Sequence, residues 1–432
     1  MREEPFSVFM GPLSTPGPVL ESPCATLPGM SALPAEDDVR FLVHFAQALH
    51  DYGSAAHQVE DALAGLARRL NVPAQFLATP TSIIFSFGNL AEQRLQLLRL
   101  EPGENDLGRL ARTIEVGRAV LHAQLTPAAA TARLEAIGAA APLYGALPTT
   151  VAFGLSSAAA ARFLGGGGFE VAAAAGIGIL VRVLAALCAP FPGMARLLPA
   201  VAAALASAAA VGLDHALGTQ HYLATVAGII MLIPGLTLTV ACTELANRHL
   251  VAGTARLSGA IVTLAMLVVG VALGVKAASS LLGAPPAVLS SALPSWTLVA
   301  ALIAAPLAFT VLLDAELRDA PWILLTCGLG YGGMQLGARA LGPELGAFVG
   351  SFIVGLAGTL FGALLRRPTA IVRVPGLLLL VPGSMAFRGA TALFDLQMDS
   401  GLQIFVRVLL TAVALAAGLL VASVVKPARL FD

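Results

Sequence analysis

Apolar stretches long enough to cross a membrane constrain this chain more than any other feature. Ten of them, each 19 to 25 residues long, follow one another from Ala146 onward. About 20 apolar residues in a helix cross the ~30 Å hydrocarbon core of a bilayer, and a helix satisfies its own backbone hydrogen bonds there. The sequence therefore predicts a membrane all-α fold with ten transmembrane helices, at residues 146–164, 169–188, 197–217, 220–241, 254–278, 294–312, 317–336, 345–365, 368–389 and 402–426.

Charged residues are concentrated before the first of these stretches. Residues 37–145 hold 20 of them, whereas residues 146–425 hold 22 over a far longer segment. The charged block combines helical apolar spacing with two strand segments, 75–88 and 94–102, so it predicts a small cytoplasmic α+β domain. Residues 1–36 contain seven prolines and predict a disordered tail that stays in the cytoplasm.

The apolar region is an internal duplication with an offset of 148 residues. The residues matched without gaps include Gly228 with Gly376, Pro234 with Pro382, and Gly235 with Gly383. The two predicted repeats, 146–278 and 294–426, hold five spans each. Because five is an odd number, the second repeat must enter the membrane from the opposite side, which predicts two inverted five-helix repeats.

The distribution of basic residues predicts the orientation. With the charged block inside, the outer connections hold mainly Lys276 and Arg339. The inner connections then hold Arg196, Arg248, Arg318, Arg366, Arg367 and Arg373. Basic residues are enriched in cytoplasmic connections, so both termini are predicted to be cytoplasmic.

Each predicted repeat carries a Pro-Gly pair in the middle of its fourth span. Proline costs about 3 kcal/mol in a helix interior, and freed backbone groups at membrane depth must be packed by protein or line a cavity. Paired interruptions in inverted repeats indicate the substrate site of a secondary transporter, and a Pro-kinked packing helix is the alternative. The predicted substrate site consists of Pro234, Gly235, Thr237, Thr239, Pro382, Gly383, Ser384 and Arg388.

Several titratable residues have both a functional and a plain interpretation. Arg388 suits a substrate carboxylate, or it snorkels to the interface. Glu244 is the predicted proton-coupling residue, with an exposed helix-end acid as the alternative. Two further groups resemble metal or relay sites but fit packing or solvated-loop positions better: His57 with Glu60, and Asp214 with His215 and His221. No metal site and no cofactor are predicted.

Segments along most of the chain point to one known family. They are "DYGSAAHQVEDALAGLARRLNV", "TSIIFSFG", "AVLHAQLTPAAATARLEAI" leading into "YGALPTTVAFGL", and the two "PG" spans, the second reading "VPGSMAFRG". In this order they resemble the threonine/serine exporter family of bacterial inner-membrane transporters. The resemblance implies a cytoplasmic N-terminal domain followed by ten helices in the bacterial plasma (inner) membrane.

The same resemblance implies export of small hydroxy amino acids, with the proton as coupling ion. Members of the family also export dicarboxylates and other small metabolites, so the substrate stays open. A channel or sensor gated by the soluble block, or an enzyme in that block, are alternatives of other classes. We expect an amino-acid substrate, a coupling ion and membrane lipid as partners, and leave a homo-oligomer open.

Two classes of function are not predicted. No basic patch interleaved with aromatic residues occurs, which argues against nucleic-acid binding. No G-x-x-x-x-G-K-[ST] motif occurs, which argues against a built-in ATP motor.

Overall fold

The computed structural model describes residues 35–88, 92–283, 293–394 and 397–425. Almost all of the predicted tail, residues 1–34, lies outside these ranges, and so does the segment 284–292 between the predicted repeats.

Four helices and one sheet form the block before the apolar region. Asp106 and Thr126 begin the third and fourth helices as N-caps, because their side chains accept hydrogen bonds from the N–H groups of Arg109 and Ala129. Pro127 then occupies the first helical position, where its missing N–H costs nothing. The helices are α1 (Glu36–Asp51), α2 (Ala56–Arg69), α3 (Leu107–Leu121) and α4 (Pro127–Ala139).

The sheet has three strands where the sequence predicted two strand segments. Its strands β1 (Ala74–Thr79), β2 (Ser82–Phe87) and β3 (Arg94–Arg99) pair antiparallel in the order β1-β2-β3. The first predicted segment is split by a turn at Pro80, since proline has no N–H to donate to a ladder. The Thr79 hydroxyl stabilises this turn by accepting from the N–H of Ser82 at 3.0 Å.

Twelve α-helices follow among the described residues, and they occupy all ten stretches predicted as spans. The fourth and the ninth stretch each contain two α-helices, and the second of them begins at the glycine of the Pro-Gly pair. In the fourth stretch a 3₁₀ turn, Ile230–Leu232, lies between the two. The helices are α5 (Ala146–Phe163), α6 (Gly168–Cys188), α7 (Pro192–Leu217), α8 (His221–Gly228), α9 (Gly235–Ala246), α10 (Leu250–Leu282), α11 (Trp296–Leu312), α12 (Ala320–Leu341), α13 (Pro343–Leu365), α14 (Ala370–Leu380), α15 (Gly383–Phe394) and α16 (Met398–Val425).

The protein is a multi-span membrane protein. By length and apolar composition, six helices of the described chain can cross a bilayer, with residues 370–392 counted as one. The bent pair α8 and α9 brings the number to seven. The count of ten spans stays a prediction, since α11 falls short of the length that this test requires and α5 and α12 are less apolar than the six.

The two halves repeat the same close helix crossing. A Cβ at Gly270 of α10 would lie 2.2 Å from the Ala200 carbonyl oxygen of α7. At the matched position in the second half, a Cβ at Gly418 of α16 would lie 2.4 Å from the Phe348 carbonyl oxygen of α13. Both partners are also 148 residues apart. Glycine at these crossings lets helix backbones approach closely in a membrane, where apolar burial alone does not drive association.

The N-terminal block contacts connections from both halves. The contacted residues lie between α11 and α12, between α13 and α14, and in α9. The hydrogen bonds run from the Leu107 N–H to the Leu313 carbonyl (2.8 Å), from the Tyr144 hydroxyl to the Ala315 carbonyl (2.7 Å), from Arg118 Nη1 to the Arg366 carbonyl (2.7 Å), and from the Ala56 N–H to Glu244 Oε1 (3.0 Å). These ends of the helices therefore lie on one side of the bundle.

Candidate functional site

The two Pro-Gly pairs interrupt their helices and meet each other. The span that contains α8 and α9 is bent by 49° between His221–Gly228 and Ile230–Ala246, and α9 begins at Gly235. In the second half, two residues separate the end of α14 at Leu380 from the start of α15 at Gly383. A Cβ at Gly235 would lie 3.1 Å from the Cα of Gly383, and a Cβ at Gly383 would lie 3.6 Å from the Cα of Gly235. The two breaks therefore cross in close backbone contact, which leaves no room for a side chain at position 235 and little at position 383.

A cavity of about 140 Å³ lies at this crossing. The first two residues of α9 and of α15 line it: Gly235 and Leu236, and Gly383 and Ser384. The first helix of each half adds side chains to the wall, among them Ser156 and Phe163 from α5 and Phe309 from α11. The cavity is thus formed jointly by the two halves.

The backbone gives this largely apolar cavity an electrostatic polarity. The first N–H groups of a helix have no acceptor within the helix, and they form the positive end of its dipole. The N-terminus of α9 has no side-chain cap, and the Gly235 N–H donates to the Ile233 carbonyl at 2.7 Å. The starts of α9 and α15, at Gly235 and Gly383, border the same space. Leu378 and Leu379, near the C-terminal end of α14, also line it, and the last carbonyls of a helix form its negative end. The arrangement suits a small ligand with one anionic and one cationic group.

Only some of the predicted site residues lie at the cavity. Gly235, Gly383 and Ser384 line it, and Pro234 and Pro382 interrupt the helices beside it. Their role in substrate binding stays a prediction.

The other three predicted residues are not among those lining the cavity. Thr239 is buried, and its hydroxyl lies 3.4 Å from the carbonyl of Gly235 on its own helix. Thr237 is half-buried two residues into α9. Arg388 is exposed and lines a separate, open depression with Tyr222 and Thr391. The sequence did not predict that side chains of α5 and α11 line the cavity, because no local pattern distinguishes them. Their position beside the broken helices depends on how the helices pack.

Glu244 is a buried, fully engaged carboxylate. Its side chain is 0 % exposed, and Nε of Arg256 lies 3.0 Å from both of its oxygens. The Ala56 N–H, at the start of α2, donates to Oε1 at 3.0 Å. The alternative of an exposed helix-end acid is therefore wrong, because Glu244 instead attaches α9 to α10 and to the N-terminal block. Its role in proton coupling stays a prediction.

Two histidines lie next to this attachment. The rings of His57 and His249 are 5.9 Å apart, and His249 Nδ1 lies 3.6 Å from Glu60 Oε2. Burial lowers the pKa of His57, and the neighbouring His249 lowers it further, which favours the neutral imidazole in the folded protein. The other oxygen of Glu60 accepts from the Ala78 N–H at 2.8 Å. Within the described parts of the chain, no group of three or more potential ligands is placed to hold a metal ion.

The opposite end of the broken span carries a second buried carboxylate. Asp214 is 1 % exposed, and His221 Nδ1 lies 2.8 Å from its Oδ2. A solvated loop is therefore the wrong interpretation for Asp214. His215, by contrast, is exposed, with Nε2 3.4 Å from the Gly283 carbonyl oxygen.

A multi-span bundle in which two broken helices meet at a cavity has the architecture of a secondary transporter. The family model described as "Putative threonine/serine exporter" matches residues 40–278, and the one described as "Threonine/Serine exporter, ThrE" matches residues 297–425. The chain belongs to the threonine/serine exporter family. The resemblance drawn from the sequence is confirmed.

Several curated relatives are fungal proteins. "Pheromone-regulated membrane protein 10" of Pichia sorbitophila is 25% identical over 380 residues, which cover 80% of this chain and 36% of that protein. The protein of the same name from Candida albicans is 24% identical, with 81% and 33% covered. An uncharacterized protein of Schizosaccharomyces pombe is 25% identical, with 81% and 48% covered. The chain thus spans between a third and a half of these relatives.

No solved structure matches the chain significantly.

Proposed function

We propose that this protein is a proton-driven secondary transporter that exports small hydroxy amino acids, threonine and serine foremost. The observation that carries the proposal is the meeting of two half-helix N-termini at one cavity, formed by Gly235 and Gly383. Half-helix N-termini bind the carboxylate of the substrate in transporters built from broken helices. The C-terminal end of α14, at the same cavity, supplies carbonyl oxygens suited to the ammonium group. Proton coupling and the bacterial plasma membrane rest on the family resemblance.

The cavity has the size of a small metabolite, and its charge favours an amino acid over a dicarboxylate. Its volume of about 140 Å³ is close to that of the ~150 Å³ engineered cavity that holds benzene, and threonine and serine are only slightly larger than benzene. No basic side chain lines the cavity among the described residues. A second carboxylate would therefore lack a countercharge, and a desolvated, unpaired charge costs several kcal/mol.

Transport of labelled threonine into inside-out vesicles tests this function. We expect saturable uptake that an imposed proton gradient accelerates and an uncoupler abolishes, with serine as an effective competitor. Malate, with two carboxylates, serves as the matched competitor and should inhibit much less. Uptake that does not saturate would indicate a channel, and competition by malate alone would indicate a dicarboxylate transporter.

The proposed architecture has ten spans in two inverted repeats with both termini in the cytoplasm. The close helix crossings at Gly270 and Gly418 support a duplicated packing unit. One family match ends at residue 278 and the other begins at residue 297, which agrees with the predicted boundary between the repeats. The N-terminal block contacts Leu313, Ala315 and Arg366, in two connections that the inverted arrangement places in the cytoplasm. These contacts support the proposal that both connections lie on the same side of the membrane as the block.

Cysteine labelling tests this topology. In a cysteine-free background, Arg366→Cys and Asp399→Cys each introduce a thiol at an exposed position. A membrane-impermeant reagent added outside the cell is expected to label position 399 and not position 366, with the reverse result in inside-out vesicles. Labelling of both positions from the same side would contradict the inverted repeats.

A further inference from the structure

A carboxylate and a histidine are joined at the end of the broken span that lies away from the N-terminal block. Asp214 belongs to the last turn of α7, and His221 is the first residue of α8. Nδ1 of His221 lies 2.8 Å from Oδ2 of Asp214 and donates to it. This bond fixes the tautomer and leaves Nε2 as the proton acceptor. Because 28 % of the His221 side chain is exposed, protons can reach it from solution.

The carboxylate of this pair is only half satisfied. Its Oδ1 is buried and has no hydrogen-bond partner among the described residues, and the same is true of Oγ1 of Thr219 in the adjoining turn. Buried polar atoms are nearly always paired, and a carboxylate taken out of water needs a compensating charge. His221 is its only ion-pair partner within the described chain. Asp214 is therefore compensated fully only when His221 carries a proton.

Other charged groups on the helices packed against α8 are distant, exposed to solvent or engaged elsewhere. Arg182 and Arg196 lie toward the opposite ends of α6 and α7, and Arg388 of α15 is exposed. The remaining groups are Glu170, whose oxygens accept the N–H groups of Gly167 (2.8 Å) and Gln220 (3.1 Å), Arg162, whose Nε donates to Thr297 Oγ1 (2.6 Å), and His215, which lies by the Gly283 carbonyl (3.4 Å).

One short half-helix connects this pair to the cavity. α8 runs from His221 to Gly228, and Ile230, Met231 and Ile233 immediately after it line the cavity. Ser157 of α5 donates to the Gly228 carbonyl at 3.3 Å, which holds the cavity end of α8 in place. A change of charge at His221 therefore acts on the helix whose C-terminal end leads directly into the cavity wall.

We propose that Asp214 and His221 form the proton-binding site of this transporter, an inference that rests on the proposed function. Nε2 of His221 takes a proton from the solution on the side away from the N-terminal block. The resulting imidazolium–carboxylate pair releases that proton to the opposite side during the transport cycle. Glu244 is less suited to this role, since Arg256 and the Ala56 N–H already occupy its oxygens.

The test separates coupling from transport in proteoliposomes that contain the full-length protein. His221→Gln and Asp214→Asn are expected to retain threonine–threonine counterflow, which needs no proton. Accumulation driven by a proton gradient should fall by roughly 5- to 150-fold, which is the factor that corresponds to typical coupling free energies between two sites. We expect counterflow by the unmodified protein to depend on pH and both variants to lose this dependence. His215→Gln, an exposed neighbour, is the matched control and should change neither activity.

Each other outcome overturns the proposal. Loss of counterflow together with accumulation would assign the pair a structural role, and retained accumulation would exclude it from coupling. If Asp214→Asn does not elute as folded protein in size-exclusion chromatography, His221→Gln decides alone, because its side chain is partly exposed. Absence of counterflow in the unmodified protein would instead contradict the proposed function.

Discussion

Gly235→Ala is expected to reduce transport strongly while leaving a folded protein. The added Cβ would lie 2.3 Å from Cγ1 of Val381 and 3.1 Å from the Cα of Gly383, so the two breaks must separate or the cavity must deform. Overpacking of this kind costs about 1–3 kcal/mol, and about 1.4 kcal/mol is a factor of ten in an equilibrium. Because the strain falls on the cavity wall, we expect threonine counterflow per folded molecule to fall at least about tenfold.

Two glycine variants make this prediction specific. At Gly383 a Cβ would meet nothing closer than Ile233 Cγ2 at 3.2 Å, so Gly383→Ala should reduce counterflow less than Gly235→Ala does. At Gly212, inside α7, a Cβ would meet nothing within 4 Å. Gly212→Ala should therefore keep full activity and gain up to about 1 kcal/mol in helix propensity. Equal activity in all three variants would show that the crossing of the breaks does not shape the transport site.

Glu244→Ala is expected to destabilise the whole protein more than any surface substitution. Arg256 would lose its carboxylate partner, and the Ala56 N–H at the start of α2 would lose its acceptor. Removing one member of a buried ion pair costs about 3–5 kcal/mol, because the remaining charge is left uncompensated. The melting temperature in detergent, followed by size-exclusion chromatography after heating, measures the effect.

Two further variants show whether the loss of stability comes from breaking a buried ion pair or from removing any charge. Glu344→Ala removes the partner of Arg407 from an exposed pair with a 4.0 Å separation, and exposed pairs contribute about 0–1 kcal/mol. The double variant Glu244→Met with Arg256→Met removes both charges at once and should recover part of the lost stability. A melting temperature for Glu244→Ala equal to that of Glu344→Ala would contradict the proposed attachment of the N-terminal block through Glu244.

The amino-acid sequence by itself determined the local features of this protein. Long apolar stretches require helices in a membrane, so the positions of helices in all ten stretches were predictable from composition and length. The breaks at Pro234 and Pro382 were predictable for the same local reason, since proline cannot donate to its helix. The offset of 148 residues predicted that Gly270 and Gly418 are equivalent positions. In the structure both glycines lie at the same kind of close helix crossing.

Only the tertiary structure decided which distant residues meet. The contact between Gly235 and Gly383, the cavity wall contributed by Ser156 and Phe309, and the exposed position of Arg388 all depend on which helices are neighbours. A hydropathy pattern shows that a helix is buried in the membrane, but in lipid it does not show which face packs against protein, because lipid tails are as apolar as the side chains.

The same reason explains the acidic residues. From the sequence, Glu244 stood near a helix end and Asp214 in an outer connection, where exposed acids are common. Their burial follows from partners in other elements, Arg256 and Ala56 for the first and His221 for the second. A charge is buried or exposed according to whether the fold brings a counter-charge or donor to it, and that is set by contacts between helices that no local segment contains.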